Sequence, residues 1–327
     1  MNLFLSTRAM TDAREDHLTE FFATALPLFP QTRSAFFDLA LAPYCQARGW
    51  APVEISSVET QPCYDEASCR PDMLLSLSNG KLIACENKLD ALETLGPEAD
   101  ERPQLERYLD LPIDGLMYVR ASWRPPEPHV SDHPKYIKPA YGEHFLWRDF
   151  YPLFEASTDP FLVWLQEGFE RLGFTPPHPQ VGELKTDADR HNFAKLWSKV
   201  RSHAHQLGWS SSAGSIVQIY LDSNDNSSAD VIFIQPIAGG FQFRATPKNK
   251  HRDRCFASLA SVCNAIPGIA DHGVKIVRRK ESKVAVYDIE VPAATVLGKG
   301  ELPADATENK LYDFVSPLLN AVQNVAR

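Results

Sequence analysis

The chain has 327 residues, of which 44% are hydrophobic and 23% charged, and its formal net charge is −9. This composition is typical of a globular protein and excludes collagen-like, disordered and coiled-coil chains. No apolar run approaches the ~20 residues of a membrane-spanning helix. The first residues lack the basic start of a signal peptide, and six irregularly spaced cysteines form no disulfide framework. We therefore expect a cytoplasmic protein without a membrane partner.

Charge is distributed unevenly along the chain. Residues 181–327 hold 18 Lys and Arg against 15 Asp and Glu, whereas residues 1–180 hold 15 against 27. An acidic catalytic half can still act on a polyanion when metal ions neutralise its site and basic residues lie elsewhere. The difference in charge predicts different functions for the two halves.

Length and proline content predict two domains. At ~150 residues per domain the chain accommodates two. A Pro-rich segment at 175–183 predicts a linker between a first domain at 1–174 and a C-terminal domain at 184–327. In the first domain, the patterns predict helices over 15–26, 32–48 and from 103, and strands over 53–58, 71–78, 81–88 and 116–121. In the second, they predict helices over 187–207, 251–263 and 307–325, and strands over 215–221, 229–234, 240–245, 274–279 and 283–290.

A tight turn joins two of these strands. Residues 78–80, Ser-Asn-Gly, separate two apolar runs and predict a β-hairpin. A two-residue loop would pair Asp72 with Asn87 and place Asp72 on the wrong face. A three-residue loop, with Gly80 in the left-handed conformation, pairs Asp72 with Glu86. We predict the second register.

The end of this hairpin carries two carboxylates and a lysine in apolar surroundings. Glu86 and Lys88 share a face because residues two apart in a strand point the same way, and the predicted register adds Asp72. Two buried carboxylates repel each other unless a cation lies between them, and hard oxygen ligands suit Mg²⁺ or Mn²⁺. Lys88 would then orient or deprotonate a water, or hold a scissile phosphate. A purely structural ion pair is the alternative.

These motifs, in this order, resemble the PD-(D/E)XK nuclease superfamily over residues 12–122. The motifs that carry the resemblance are an acidic N-terminal helix, Pro71-Asp72, the ENK form of the ExK motif at Glu86-Asn87-Lys88, and a QxxxY element from Gln104 to Tyr108. The resemblance implies an α/β restriction-endonuclease-like fold, in which a mixed sheet is flanked by helices. It also implies a Mg²⁺-dependent (or Mn²⁺-dependent) phosphodiester hydrolase, with DNA as the expected substrate.

The resemblance assigns roles to the hairpin residues. Asp72 and Glu86 would be catalytic metal ligands, and the Asn87 carbonyl would add a further oxygen. The Asn87 side chain is uncharged and cannot act as an acidic ligand. Lys88 would be the catalytic lysine.

Helical residues complete the implied site. Glu15 is the expected helix carboxylate at the metal, with Glu20 as its rival. Gln104 and Tyr108 lie one turn apart on one helical face, and they would bind the substrate backbone or order the site.

The C-terminal domain is expected to be α/β or α+β with antiparallel strands, and to serve in substrate capture, dimerisation or sensing. Its basic residues Lys248, Lys250, Arg252 and Arg254 would contact nucleic-acid phosphates, with a solvated face as the alternative. The resemblance implies a DNA endonuclease in phage defence or DNA processing, acting as a homodimer. An RNase, and an inactive nucleic-acid or protein interaction module on the same fold, are the alternative functions.

Overall fold

A computed structural model divides the chain into two compact units, Met1–Pro176 and Pro177–Arg327. The division falls inside the segment 175–183 that is predicted as a linker. The structure describes residues 2–11, 13–64, 69–89, 95–96, 101–139, 142–155, 157–178, 186–208, 210–211, 219–221, 232–237, 240–245, 252–265, 275–281, 284–292, 296–297 and 304–326.

The first unit starts with four helices. They are α1 (Leu3–Arg8), α2 (Arg14–Leu28), α3 (Pro30–Phe36) and α4 (Ala42–Ala47). A π-helical turn at Phe37–Leu41 joins α3 to α4, so the single helix predicted over 32–48 is interrupted. The turn lies just before Pro43, which has no amide hydrogen to donate to the carbonyl four residues earlier.

A mixed sheet follows in the first unit. Its strands are β1 (Ile55–Thr60), β2 (Met73–Leu77), β3 (Leu82–Lys88), β4 (Gly115–Arg120), β5 (Tyr136–Ile137) and β6 (Phe145–Leu146). The order is β1-β2-β3-β4-β5, and β6 also pairs with β4. β1, β2 and β3 are antiparallel neighbours, whereas β4 runs parallel to β3, β5 and β6.

Helices cover this sheet and connect its strands. Helix α5 (Gln104–Leu109) lies in the crossover from β3 to β4, which parallel pairing requires. Beyond β4 come α6 (Pro128–Ser131), a 3₁₀ helix (Trp147–Leu153) and α7 (Pro160–Leu172). The prediction of an α/β unit, with a mixed sheet flanked by helices, is confirmed.

The β2–β3 hairpin has the predicted three-residue loop. Met73 pairs with Cys85, and the Leu77 amide donates to the Lys81 carbonyl at 2.8 Å. Gly80 adopts a φ of 81°, the left-handed conformation that glycine tolerates without steric cost. The register is therefore the second of the two considered, and its continuation places Asp72 opposite Glu86.

Each face of the sheet packs in its own hydrophobic cluster. We call one the α2 face, where Met73 and Cys85 pack with Phe22 of α2. We call the other the α5 face, where Ala84 packs with Tyr108 of α5. Successive strand residues alternate between faces, so Glu86 shares the α5 face with Ala84, and Asn87 shares the α2 face with Cys85.

The second unit combines helices with an antiparallel sheet. Its helices are α8 (Asp187–Leu196), α9 (Ser198–Gln206), α10 (Arg252–Ala265) and α11 (Ala304–Ala326). Its strands are β7 (Ser210–Ser211), β8 (Ile219–Leu221), β9 (Ile232–Ile237), β10 (Gly240–Ala245), β11 (Lys275–Glu281) and β12 (Val284–Pro292), ordered β11-β12-β10-β9-β8-β7. All the pairings described in this sheet are antiparallel, as predicted.

The core of the second unit joins helices to one strand. Trp197 lies between α8 and α9, so the helix predicted over 187–207 is divided there, and its side chain packs with Leu259 of α10, Leu311 of α11 and Ile289 of β12. No helix in the described part of either unit is long and apolar enough to cross a membrane.

Candidate active site

The predicted hairpin residues meet at one end of the first unit's sheet. Asp72 precedes β2, and Glu86 and Lys88 end β3. All three are buried, with 9%, 0% and 6% of their surface exposed. The Asp72 Oδ2 atom accepts a hydrogen bond of 2.7 Å from the Asn87 amide. The structure thus brings the three predicted catalytic residues together.

Glu86 is the most deeply buried carboxylate of this group. The Lys88 ammonium forms an ion pair with its Oε1 atom. Burial, reinforced by the charge of Asp72, raises the pKa of Glu86 to about 8, although Lys88 opposes the shift. A buried carboxylate must be paired, and Lys88 supplies the positive charge here, so a metal ion would have to share Glu86 with Lys88.

Asp72 experiences the same effect more weakly. Burial raises its pKa to about 6, while the Lys88 charge and the hydrogen bond from the Asn87 amide limit the increase. At neutral pH Asp72 is therefore ionised.

Lys88 is held in its charged form. Burial lowers its pKa, but the carboxylates of Glu86, Asp72 and Glu15 outweigh burial and raise the pKa above its usual value. A protonated ammonium cannot remove a proton from water. Of the roles predicted for Lys88, orienting a water or holding a phosphate oxygen fits this state, and deprotonating a water does not.

Helix α2 contacts the end of β3 through two side chains. Glu15 Oε1 accepts from Lys88 Nζ at 3.2 Å, and Glu15 Oε2 accepts from the Leu89 amide at 2.7 Å. Thr19 Oγ1 accepts from Asn87 Nδ2 at 3.1 Å. Glu20, the alternative to Glu15 for the helix carboxylate, is exposed. The sequence motifs did not predict Thr19 as a residue of the site.

The QxxxY residues lie beneath the start of β2. Tyr108 is fully buried, donates a 2.9 Å hydrogen bond to the Arg70 carbonyl and accepts one of 2.6 Å from Gln104 Nε2. Burial and the nearby Glu86 raise the pKa of the Tyr108 hydroxyl. Of the two roles predicted for this pair, ordering the site agrees with these contacts, because they fix the backbone just before Asp72.

Strand β4 adds two residues that the sequence-based site lacks. Tyr118 pairs with Glu86 and Arg120 pairs with Lys88, so both lie on the α5 face beside the hairpin. The Arg120 guanidinium stacks over the Tyr118 ring and donates to its hydroxyl. Only the register of two parallel strands joins them to the site, and that register has no local sequence signal.

The basic residues of the C-terminal domain are only partly placed. Lys248 and Lys250 lie outside the described residues. Arg252 begins α10, and Arg254 of the same helix is exposed. Their predicted contact with nucleic acid stays a prediction.

The donor set agrees with a hard cation that takes few protein ligands. Among the residues the structure describes, no three His, Cys, Asp or Glu side chains cluster to hold a metal. Mg²⁺ commonly uses only one or two carboxylates and keeps several waters. Asp72 and Glu86 would supply two carboxylates to such an ion, which would share Glu86 with Lys88. No protein-family model, curated protein or solved structure matches the chain.

Proposed function

We propose that the first unit is a divalent-metal-dependent nuclease that hydrolyses phosphodiester bonds in DNA. The observation that carries this proposal is that Asp72, Glu86 and Lys88, all buried, meet at one end of the sheet, where the charge of Asp72 acts on Glu86. Burying two carboxylates lowers the stability of the fold, and a site with a purely structural role would not require it.

The architecture supports the same proposal. An acidic helix, an antiparallel hairpin, a crossover helix and a parallel strand follow one another as α2, β2–β3, α5 and β4. This order agrees with the restriction-endonuclease-like fold that the motifs imply, and we propose that fold for the first unit.

Asp72 and Glu86 would hold Mg²⁺ or Mn²⁺, with the Asn87 carbonyl as a further oxygen. When bound, such an ion lowers the pKa of a coordinated water and neutralises phosphate charge. It would also favour ionised Glu86, because a neighbouring positive charge stabilises the carboxylate.

The chain's own residues position the reactants. The Asn87 amide orients Asp72. The Tyr108 hydroxyl fixes the backbone at Arg70, which lies two residues before Asp72. The Lys88 ammonium, held between Glu86 and Glu15, supplies a fixed positive charge for an oxygen of the scissile phosphate. A preorganised cation of this kind stabilises charge that develops in the transition state.

The test uses supercoiled plasmid with Mg²⁺, with Mn²⁺ and with EDTA. We expect nicking or linearisation with either metal, none with EDTA, and none with Asp72→Asn. Glu59→Gln is the matched control, since it removes one exposed carboxylate from β1 of the same sheet and should cleave like wild type.

Two outcomes would contradict the proposal. One is a wild-type protein that cleaves neither DNA nor RNA with any divalent ion, which favours the inactive interaction module. The other is an Asp72→Asn variant with wild-type activity. Cleavage of RNA but not DNA would agree with metal-dependent phosphodiester hydrolysis and contradict DNA as the substrate.

A further inference from the structure

We propose that Glu15 and Thr19, together the α2 clamp, are positioning residues for the ENK segment (Glu86–Lys88), and that Glu15 acts on Lys88 and is not a metal ligand. The inference rests on the proposed nuclease function and assigns a role to α2 within it.

Both oxygens of Glu15 are already engaged. Oε1 accepts from Lys88 Nζ and Oε2 from the Leu89 amide, at 3.2 and 2.7 Å. The second bond is short and charge-assisted, and such bonds are among the stronger ones in proteins. These two partners hold the Glu15 carboxylate against Lys88 and the end of β3.

Thr19 extends the clamp by one helical turn. Residues four apart lie on the same face of a helix, so Thr19 and Glu15 both point at the end of β3. The Thr19 hydroxyl accepts from Asn87 Nδ2 at 3.1 Å, and both side chains are fully buried. Because the Asn87 Oδ1 atom has no hydrogen bond among the described residues, Thr19 provides the side-chain polar contact that orients this amide.

The clamp therefore reaches three successive residues, Asn87, Lys88 and Leu89. A lysine ammonium on four methylene groups has many rotamers, and holding it between Glu86 and Glu15 restricts it to one position. Misplacing a catalytic group by ~1 Å can cost about 100-fold in rate. The expected function of the clamp is to keep Lys88 and the Asn87 backbone in place while substrate binds.

Glu15→Gln separates positioning from metal ligation. The amide oxygen can still accept from the Leu89 amide, but the charge facing Lys88 is lost. We expect kcat on DNA to fall about 10- to 100-fold, the range for residues that support an active site from outside, with KM changed less than about twofold. We expect the Kd for Mn²⁺ alone, measured from the free-ion EPR signal, to stay within about twofold of wild type. Mn²⁺ found within coordination distance of a Glu15 oxygen in a crystal of the wild-type protein would make Glu15 a ligand and overturn the inference.

A pair of substitutions tests Thr19. Thr19→Val keeps the shape but removes the accepting oxygen, and Thr19→Ser keeps the oxygen. We expect Thr19→Val to lower kcat and leave KM and Mn²⁺ affinity unchanged, and Thr19→Ser to restore kcat. Equal kcat in the two variants would show that the hydroxyl does not position Asn87. If Thr19→Val fails to fold, the kcat values of Glu15→Gln and Thr19→Ser decide whether the α2 clamp positions the ENK segment.

The two proposals fail separately. A wild-type protein without cleavage overturns the nuclease and the clamp with it. A wild-type protein that cleaves, with Mn²⁺ coordinated by Glu15 in the crystal, overturns the clamp alone.

Discussion

Asp72 and Asn87 are joined by a 2.7 Å hydrogen bond from the Asn87 amide to the Asp72 carboxylate. This bond crosses from the start of β2 to the middle of the ENK segment. It places the Asp72 carboxylate beside Glu86 and leaves the Asn87 side chain free to turn to the α2 face, where it meets Thr19. Asn87 thus contacts Asp72 through its backbone amide and Thr19 through its side chain.

Replacing Asp72 with Asn should separate stability from activity. The amide oxygen can accept the same hydrogen bond, but no charge is buried, and burial of that charge is what raises the pKa of Asp72. We expect the metal-free variant to melt at or above the wild-type temperature, by about 2–4 °C for each kcal/mol gained, and to lose cleavage. Calorimetry in EDTA measures the first effect. A clear loss of thermal stability would show that the ionised carboxylate stabilises the fold.

Replacing Lys88 with Met should remove turnover and spare metal binding. The methionine retains most of the apolar stem but not the charge beside Glu86. We expect kcat to fall by about 10²- to 10³-fold, the range for losing one preorganised electrostatic group, with Mn²⁺ affinity unchanged or increased. Single-turnover cleavage and Mn²⁺ titration measure the two quantities. Cleavage at the wild-type rate would refute the role assigned to Lys88.

Glu86 should make the metal-free protein less stable as pH rises. Its pKa is raised from 4.5 to about 8, so between those values the folded chain binds a proton that the unfolded chain has released. The free energy of unfolding therefore falls with increasing pH across this window. Asp72 adds the same trend between 3.8 and about 6, whereas the raised pKa of Lys88 acts only above 10.5. Denaturant unfolding at pH 5.5, 7 and 8.5 should show the decline in wild type and a flatter profile in Glu86→Gln. A wild-type profile as flat as the variant's would mean that Glu86 titrates normally.

Metal binding at pH 7 should release about one proton. The pKa of Glu86 is raised to about 8 and that of Asp72 only to about 6, and a carboxylate must be ionised to bind a metal, so Glu86 is the group expected to release the proton. Titration calorimetry with Mn²⁺ in two buffers of different ionisation enthalpy measures the proton count. The released proton should disappear in Glu86→Gln or at pH 9.5. Binding without proton release at pH 7 would place the ion away from Glu86.

The hairpin was predictable because its determinants are local. Gly80 marks the turn, and the alternation of faces along a strand then fixes whether Asp72 opposes Glu86 or Asn87. The contacts of α2 are not local, since Thr19 and Asn87 are 68 residues apart and a threonine inside a helix has no distinctive pattern. Likewise, a parallel register across a crossover brings Arg120 beside Lys88 without any turn to specify it.

A usable signal existed for the choice between Glu15 and Glu20. Leu18, Phe22 and Leu26 form the buried stripe of α2, and Glu15 continues that stripe by one turn towards the N-terminus. Glu20 lies on the opposite side of the helix and is exposed. Helical phase alone therefore favours Glu15, although it cannot say whether the carboxylate meets a metal or a lysine.

Crystals grown with Mn²⁺ provide the decisive measurement. An anomalous difference map should show a peak between Asp72 and Glu86, within coordination distance of both carboxylates, with Glu15 still bonded to Lys88 and the Leu89 amide. A saturated crystal with no peak there, or with Mn²⁺ bound elsewhere while Glu86 remains paired with Lys88, would contradict the metal-dependent nuclease.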